Sequence, residues 1–147
     1  MSHPARPGLE ISARCACGAV TVAVNGPVLS MLICSCEDCQ KATGTGHSSI
    51  AMVRQADFSI EGETRAFARP ADSGATFTRY FCPQCGTHLY GRSSRWADGI
   101  LLPIGLFGSD TEWFVPNQLI FARSLRGWDV VPPDLPQHET YRQREVT

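Results

Sequence analysis

Apolar and β-branched residues occur in short runs punctuated by Gly, Pro, Asp and Asn, a rhythm that suits strands better than helices. The runs predict strands at Leu9–Arg14, Ala19–Val24, Val28–Ile33, Ser48–Val53, Phe58–Glu61, Thr64–Phe67, Ala75–Phe81, Thr87–Gly91, Ile100–Leu106 and Gln118–Arg123. Alternation is clearest in TVAV at Thr21–Val24 and TFTRYF at Thr76–Phe81. No window keeps helical spacing for three turns, so one short helix is expected, beginning near Glu37 and ending by Gly44. The fold class predicted is all-β, with several short antiparallel strands and at most one short helix. Pro132, Pro133 and Pro136 break any regular element after Trp128, so VVPPDLPQ should run as an extended surface strap.

At 147 residues the chain has the size of one domain. The expectation is a single unit over 1–147 with a core from about residue 9 to 130, and frayed polar tails at 1–7 and 138–147. A hydrophobic fraction of 43% with 18% charged residues fits neither the disordered nor the membrane classes. The opening MSHPARPGLE lacks the apolar stretch of a secretory signal, so a cytoplasmic setting is expected. Net charge is -1 and the basic residues are scattered, which argues against a nucleic-acid footprint.

The cysteines change this picture most. Seven thiols in a presumed reducing compartment make disulfides the weaker reading. Their spacing matters more than their number: Cys15 and Cys17 in CACG, Cys34, Cys36 and Cys39 in CSCEDC, Cys82 and Cys85 in CPQCG. CPQCG has the form of a zinc knuckle, two thiolates about a tight turn with a glycine free to take positive φ. CACG also lies between predicted strands and ends in Gly. Together Cys15, Cys17, Cys82 and Cys85 make a closed four-thiolate site for a structural zinc. Cys34, Cys36 and Cys39 remain, and three thiolates leave one coordination position open. A thiolate-rich zinc suits an incoming thiolate, so the chemistry expected is thiol activation. Two alternatives stay open: a closed second site with His47 or His88 as fourth ligand, and a redox switch built on reactive thiolates. An iron–sulfur cluster would need a fourth ligand. With two zinc ions and seven thiolates the charge becomes -1 - 7 + 4 = -4, and arginines could serve as counter-charges.

His47, eight residues after Cys39, is a candidate ligand or proton carrier. His88 fits better as a neighbour of the closed site than as its ligand. Arg54, Arg79, Arg92 and Arg95 are available for an acidic ligand, since Arg grips carboxylates bidentately. Phe77, Tyr80, Phe81 and Tyr90 read as packing, as does Trp128, while Trp96 and Trp113 could line an entrance.

CACGAVTVAV, CSCEDCQKATGT, FCPQCGTHLY and FARSLRGWDV together resemble the glutathione-dependent formaldehyde-activating enzyme family, whose domain is shared with centromere protein V. The resemblance runs from about Cys15 to Trp128. It implies a zinc-containing β-tent fold with two zinc ions per chain. A structural zinc would sit on Cys15, Cys17, Cys82 and Cys85, and a catalytic zinc on Cys34, Cys36 and Cys39. The implied activity is that of a carbon–sulfur lyase run in reverse, condensing glutathione with formaldehyde to S-hydroxymethylglutathione. The implied partners are therefore a small thiol and a small aldehyde, with neither nucleic acid nor membrane. Lys41, Thr43 and Gly44 follow the open site as in the family motif, and Lys41 is the candidate for meeting a substrate carboxylate.

Overall fold

The structure, a computed structural model, describes residues 6–142. The chain divides into two compact units, Met1–Ser30 with Ala51–Trp113, and Met31–Ile50 with Phe114–Thr147. Each contains one of the cysteine groups.

In the first unit, β1 (Gly8–Arg14) and β2 (Thr21–Pro27) form an antiparallel hairpin with Ile11 opposite Val24 and Arg14 opposite Thr21. The next strand in sequence to join them is β5 (Phe58–Glu61), which pairs with β2. A separate run of neighbours is β6 (Arg65–Pro70), β7 (Thr76–Phe81), β8 (His88–Ser93), β9 (Gly99–Pro103) and the Ala51–Arg54 part of β4 (Ser48–Arg54). Alternation puts Val20, Val22, Val24, Ala51, Val53, Leu89, Ile100 and Leu102 inside, each 2% exposed or less. Removing a side chain of the size of Leu89 or Ile100 from water is worth about 1.5–3 kcal/mol. Tyr80 and Tyr90 stack with ring centroids 4.3 Å apart, and Phe58 leans on Tyr90 at 4.8 Å. The packing role expected of these tyrosines is what the structure gives them.

The second unit holds β3 (Ser30–Cys34) from Met31 onward, α1 (Glu37–Thr43), Ser48–Ile50 of β4, and β10 (Leu119–Ile120). The short helix falls where the sequence predicts it. It starts on Cys36 in extended conformation and ends on Gly44 at φ 74°, the left-handed turn that glycine adopts without a steric penalty. One pairing departs from the antiparallel expectation: β10 runs parallel to β3, with Leu119 beside Ile33 and Ile120 beside Cys34.

Each predicted strand exists, though with shifted bounds. Val28 and Leu29 precede β3, where the Val28 amide donates to the Pro7 carbonyl at 2.9 Å. The predicted run to Leu106 ends at Pro103, and Ile104–Phe107 closes into a 3₁₀ turn. β10 stops at Ile120 because Phe121 takes a φ of 58°, unusual for a bulky residue. That conformation is held by burial of its ring against Tyr141, 4.9 Å away edge-on, and by its amide donating to the Thr140 carbonyl at 3.0 Å. The expected tails fall partly on residues 1–5 and 143–147, outside the described residues. Within the stretch expected to be a tail, the His138 amide donates to the Leu119 carbonyl and the Ala122 amide to the His138 carbonyl, each at 2.9 Å. Within VVPPDLPQ the chain makes one turn, closed by the Leu135 amide on the Pro132 carbonyl at 3.4 Å.

Candidate functional site

The two zinc-knuckle sequences are hairpin turns, which explains how they can meet. CACG connects β1 to β2, and its Cys15 accepts a hydrogen bond at sulfur from the Val20 amide, 3.3 Å away. CPQCG connects β7 to β8, where Gly86 adopts φ 75° and its amide returns to the Cys82 carbonyl at 2.9 Å. The sulfurs of Cys15, Cys17, Cys82 and Cys85 lie within 4.8 Å of one another. Cys15 to Cys17 is 3.6 Å and Cys17 to Cys82 is 3.7 Å. Four sulfurs at about 2.3 Å from a tetrahedral zinc would be about 3.8 Å apart, so the donor set and its spacing fit that ion.

Thr87 links the two turns. Its hydroxyl lies 3.1 Å from the Cys85 sulfur and accepts from the Ala16 amide at 3.1 Å. A hydroxyl and an amide of Thr87 at the sulfur hold the Cys85 thiol down at about 5. Cys17 moves the other way: the Ala19 amide favours its thiolate, but burial and the three neighbouring thiols push it up to about 11. Without a cation the group therefore cannot carry all its negative charges together.

The second group is Cys34, Cys36 and Cys39, whose sulfurs also lie within 4.8 Å of one another. Cys34 ends β3, Cys36 caps α1 and Cys39 lies in its first turn. The Cys36 sulfur accepts from the Cys39 amide at 3.3 Å, so the helix start presents two of the three thiols from a fixed backbone. Neighbouring thiols and burial push Cys34 upward. For Cys39 a hydrogen bond with Cys34 favours the thiolate, but Cys36 and burial outweigh it and raise the thiol to about 11. A divalent cation would relieve this repulsion, and the three soft donors suit zinc.

Among the described residues no His, Asp or Glu atom joins the three sulfurs. His47 instead points its Nδ1 at Asp129 Oδ2, 2.7 Å away, with the carboxylate side chain only 8% exposed. Gly46 makes room for that carboxylate, because a Cβ there would occupy the same space as the Asp129 side chain. His88 is largely buried, its Nε2 has no hydrogen-bond partner, and burial together with Arg79 holds it down at about 4. Lys41 lies on the exposed side of α1. Thr43 donates from its hydroxyl to the Cys39 carbonyl at 2.9 Å, the local helix-end bond its position predicts.

The arginines expected to meet an acidic ligand have other partners. Arg54 pairs with Asp57 at 2.9 Å, Arg92 donates to Gln55 at 2.9 Å, and Arg79 and Arg95 lie over the rings of Phe67 and Trp96. Trp128, expected to pack, is 68% exposed. Trp113 donates its indole N–H to the Asp110 carbonyl at 2.8 Å.

Sequence reasoning missed Thr87, Asp129 and the way α1 is locked. Gln40 donates to the carbonyls of Ser35 and Ser124 at 2.8 and 3.0 Å, and Arg126 donates to Gln40 at 3.1 Å and to Glu37 at 3.3 Å. These bonds hold the CSCEDCQ and SLRGW segments against each other. Their pairing is separated by more than eighty residues, and no local pattern signals it.

The sequence model of glutathione-dependent formaldehyde-activating enzymes matches residues 10–124. Curated relatives in Aspergillus flavus and Emericella nidulans, provisionally named glutathione-dependent formaldehyde-activating enzymes, are 34% identical over 86 residues and 33% identical over 89 residues. Those alignments take in 58% and 60% of this chain and 44% and 45% of the relatives. The chain thus spans less than half the length of the curated relatives it matches. A Rhodobacter sphaeroides protein of known crystal structure superposes with a TM-score of 0.55 at 15% identity, covering 87% of this chain and all of that one, which shows a shared fold. With the family model matched over most of its length and both cysteine groups assembled, the chain belongs to the glutathione-dependent formaldehyde-activating enzyme family.

Proposed function

We propose that the protein is a zinc-dependent enzyme that adds a thiol, glutathione by family, to formaldehyde or a similar small aldehyde, giving an S-hydroxymethyl adduct. The carrying observation is the unequal division of the thiols: four sulfurs gather in one group and three in the other, with no histidine or carboxylate among the described residues completing the three. In this reading one zinc sits on Cys15, Cys17, Cys82 and Cys85 and holds two hairpin turns together. A second sits on Cys34, Cys36 and Cys39.

When bound at the three-sulfur group, zinc supplies a soft Lewis acid that favours ionisation of a thiol at its remaining position. The rest depends on the chain. Cys36 and Cys39 are pre-positioned by the cap of α1, and the Gln40 and Arg126 contacts hold that helix in place. Lys41, exposed on the same helix, is the cation that would meet a carboxylate of the thiol substrate in this reading. His47 is oriented by Asp129, which leaves its Nε2 as the nitrogen free to exchange protons. In the reaction the sulfur lone pair forms the new C–S bond, the carbonyl π pair moves to oxygen, and that oxygen gains one proton for the one lost by the thiol.

Following glutathione–formaldehyde exchange by NMR in the presence of zinc-loaded protein tests the reading. The rate should rise well above buffer and fall back when Cys36 is replaced by serine. No acceleration by wild-type protein would overturn the named activity.

A further inference from the structure

Arginines are spread along the sequence, yet the pairing of β6 with β7 brings three onto one face of the first unit. In that ladder Arg65 stands opposite Phe81, Phe67 opposite Arg79 and Arg69 opposite Phe77. Opposed residues share a face of the sheet, so the two strands present a checkerboard in which each arginine has a phenylalanine across from it. The side chains follow it: the Arg79 guanidinium carbon lies 5.7 Å from the Phe67 ring centroid, and that of Arg69 4.9 Å from Phe77. Phe77 in turn rests against Gly91 of β8, where a Cβ would meet its ring. Tyr80 and Tyr90 turn to the opposite face and stack there, with Tyr90 buried.

Two features set this face apart from ordinary strand packing. β6 is the end strand of its sheet, and Phe67 at its middle is 54% exposed even with Arg79 beside it. Arginine on an edge strand discourages edge-to-edge pairing, which accounts for Arg65 but not for an apolar ring left open to water near it. The charge is also one-sided. β6, β7 and β8 contain no Asp or Glu; the nearest acids in sequence to β6 are Glu63 before it and Asp72 in the turn after it. Arg79 stands diagonally from Arg65 across the ladder, about 7–8 Å away. Two cations this close to an exposed ring suit a ligand that carries anionic groups and flat rings along its length.

We infer that this face binds a single-stranded polynucleotide, with a base stacked on Phe67 and phosphates met by Arg65 and Arg79. Stacking is open to every base, so the recognition is independent of sequence. A guanidinium resting on a ring keeps its N–H fork for phosphate, so the Arg79 contact with Phe67 prepares the cation rather than consuming it. A duplex hides its base faces in its own stack and would use the charges alone. An acidic peptide would likewise use the charges and leave Phe67 idle. The face uses none of the seven cysteines, so this binding is separate from the thiol–aldehyde chemistry.

Fluorescence anisotropy of labelled oligothymidylate and oligouridylate, about 12 nucleotides long, is followed with zinc-loaded full-length protein. Wild type should bind both with a Kd of about 1–100 μM at physiological salt. The logarithm of affinity should fall against the logarithm of salt concentration with a slope of about -1.4, two phosphates at about 0.7 each. Phe67→Leu keeps an apolar side chain and loses the ring, and should bind about tenfold more weakly with the same slope. Arg65→Gln should flatten the slope by about 0.7. Zinc content and Tm should match wild type in both variants. No binding at about 1 mM protein, well beyond that range, overturns the inference. Equal affinity in wild type and Phe67→Leu overturns the stacking site, and so does a duplex or a polyglutamate peptide that binds as tightly as the single strands. Should Phe67→Leu unfold, Arg65→Gln at the exposed edge decides, and an unchanged salt slope there overturns the site.

Discussion

Cys36 performs two tasks that substitution can separate. Its sulfur belongs to the three-thiol group, and it also caps α1 by accepting the Cys39 amide at 3.3 Å. Serine at this position keeps an acceptor, and is among the best N-caps, but its alcohol is not a zinc-binding thiolate. Alanine loses the ligand and the acceptor together. Both variants should therefore drop from two zinc ions per chain to one, measured by atomic emission on dialysed protein. They should differ in stability. Losing an N-cap acceptor costs about 1 kcal/mol, and for a chain of this size 1 kcal/mol corresponds to roughly 2–4 °C in Tm. Cys36→Ala should melt that much below Cys36→Ser, both with zinc retained at Cys15, Cys17, Cys82 and Cys85. Two zinc ions persisting in Cys36→Ser would refute its place as a ligand, and equal melting of the two variants would refute the cap.

Four further outcomes are expected. His88 is held at about 4 when folded against 6.5 when free, so the unfolded chain takes up a proton first as pH falls. Its contribution is complete above pH 6.5 and is lost progressively toward pH 4, by about 3 kcal/mol at most; urea unfolding should be steeper with pH in wild type than in His88→Gln. Thr87→Val should weaken zinc at the four-sulfur site by about 10–100-fold, the usual effect of losing an outer partner, measured by competition with a chromophoric chelator. In metal-stripped protein at pH 6, Cys85 should be the first thiol alkylated, because a group held at about 5 is already thiolate there, and Thr87→Val should remove that preference. Gly91→Ala should lower stability by about 1–3 kcal/mol in chemical denaturation, since its Cβ would meet the Phe77 ring at 2.6 Å.

Most of the local structure could be read from the chain. Short apolar runs with glycine and proline punctuation mark strands, and the segment from Glu37 to Gly44 marks a short helix, because these signals act within a few residues. The grouping of seven thiols into four and three was also legible, since paired cysteines on tight turns are each half of a metal site and halves must be joined. What the sequence could not supply is whatever depends on approach between distant segments. The parallel pairing of β10 with β3, the Thr87 link from Cys85 to Ala16, the Gln40–Arg126 lock and the His47–Asp129 pair each join residues tens of positions apart. Asp129 has no local signature, and its claim on His47 depends on a missing Cβ at Gly46. Chain composition determined which atoms were available to ionise, donate or hold a metal; packing decided which of them were already spent, as His47 is on Asp129 and Gln40 on two backbone carbonyls.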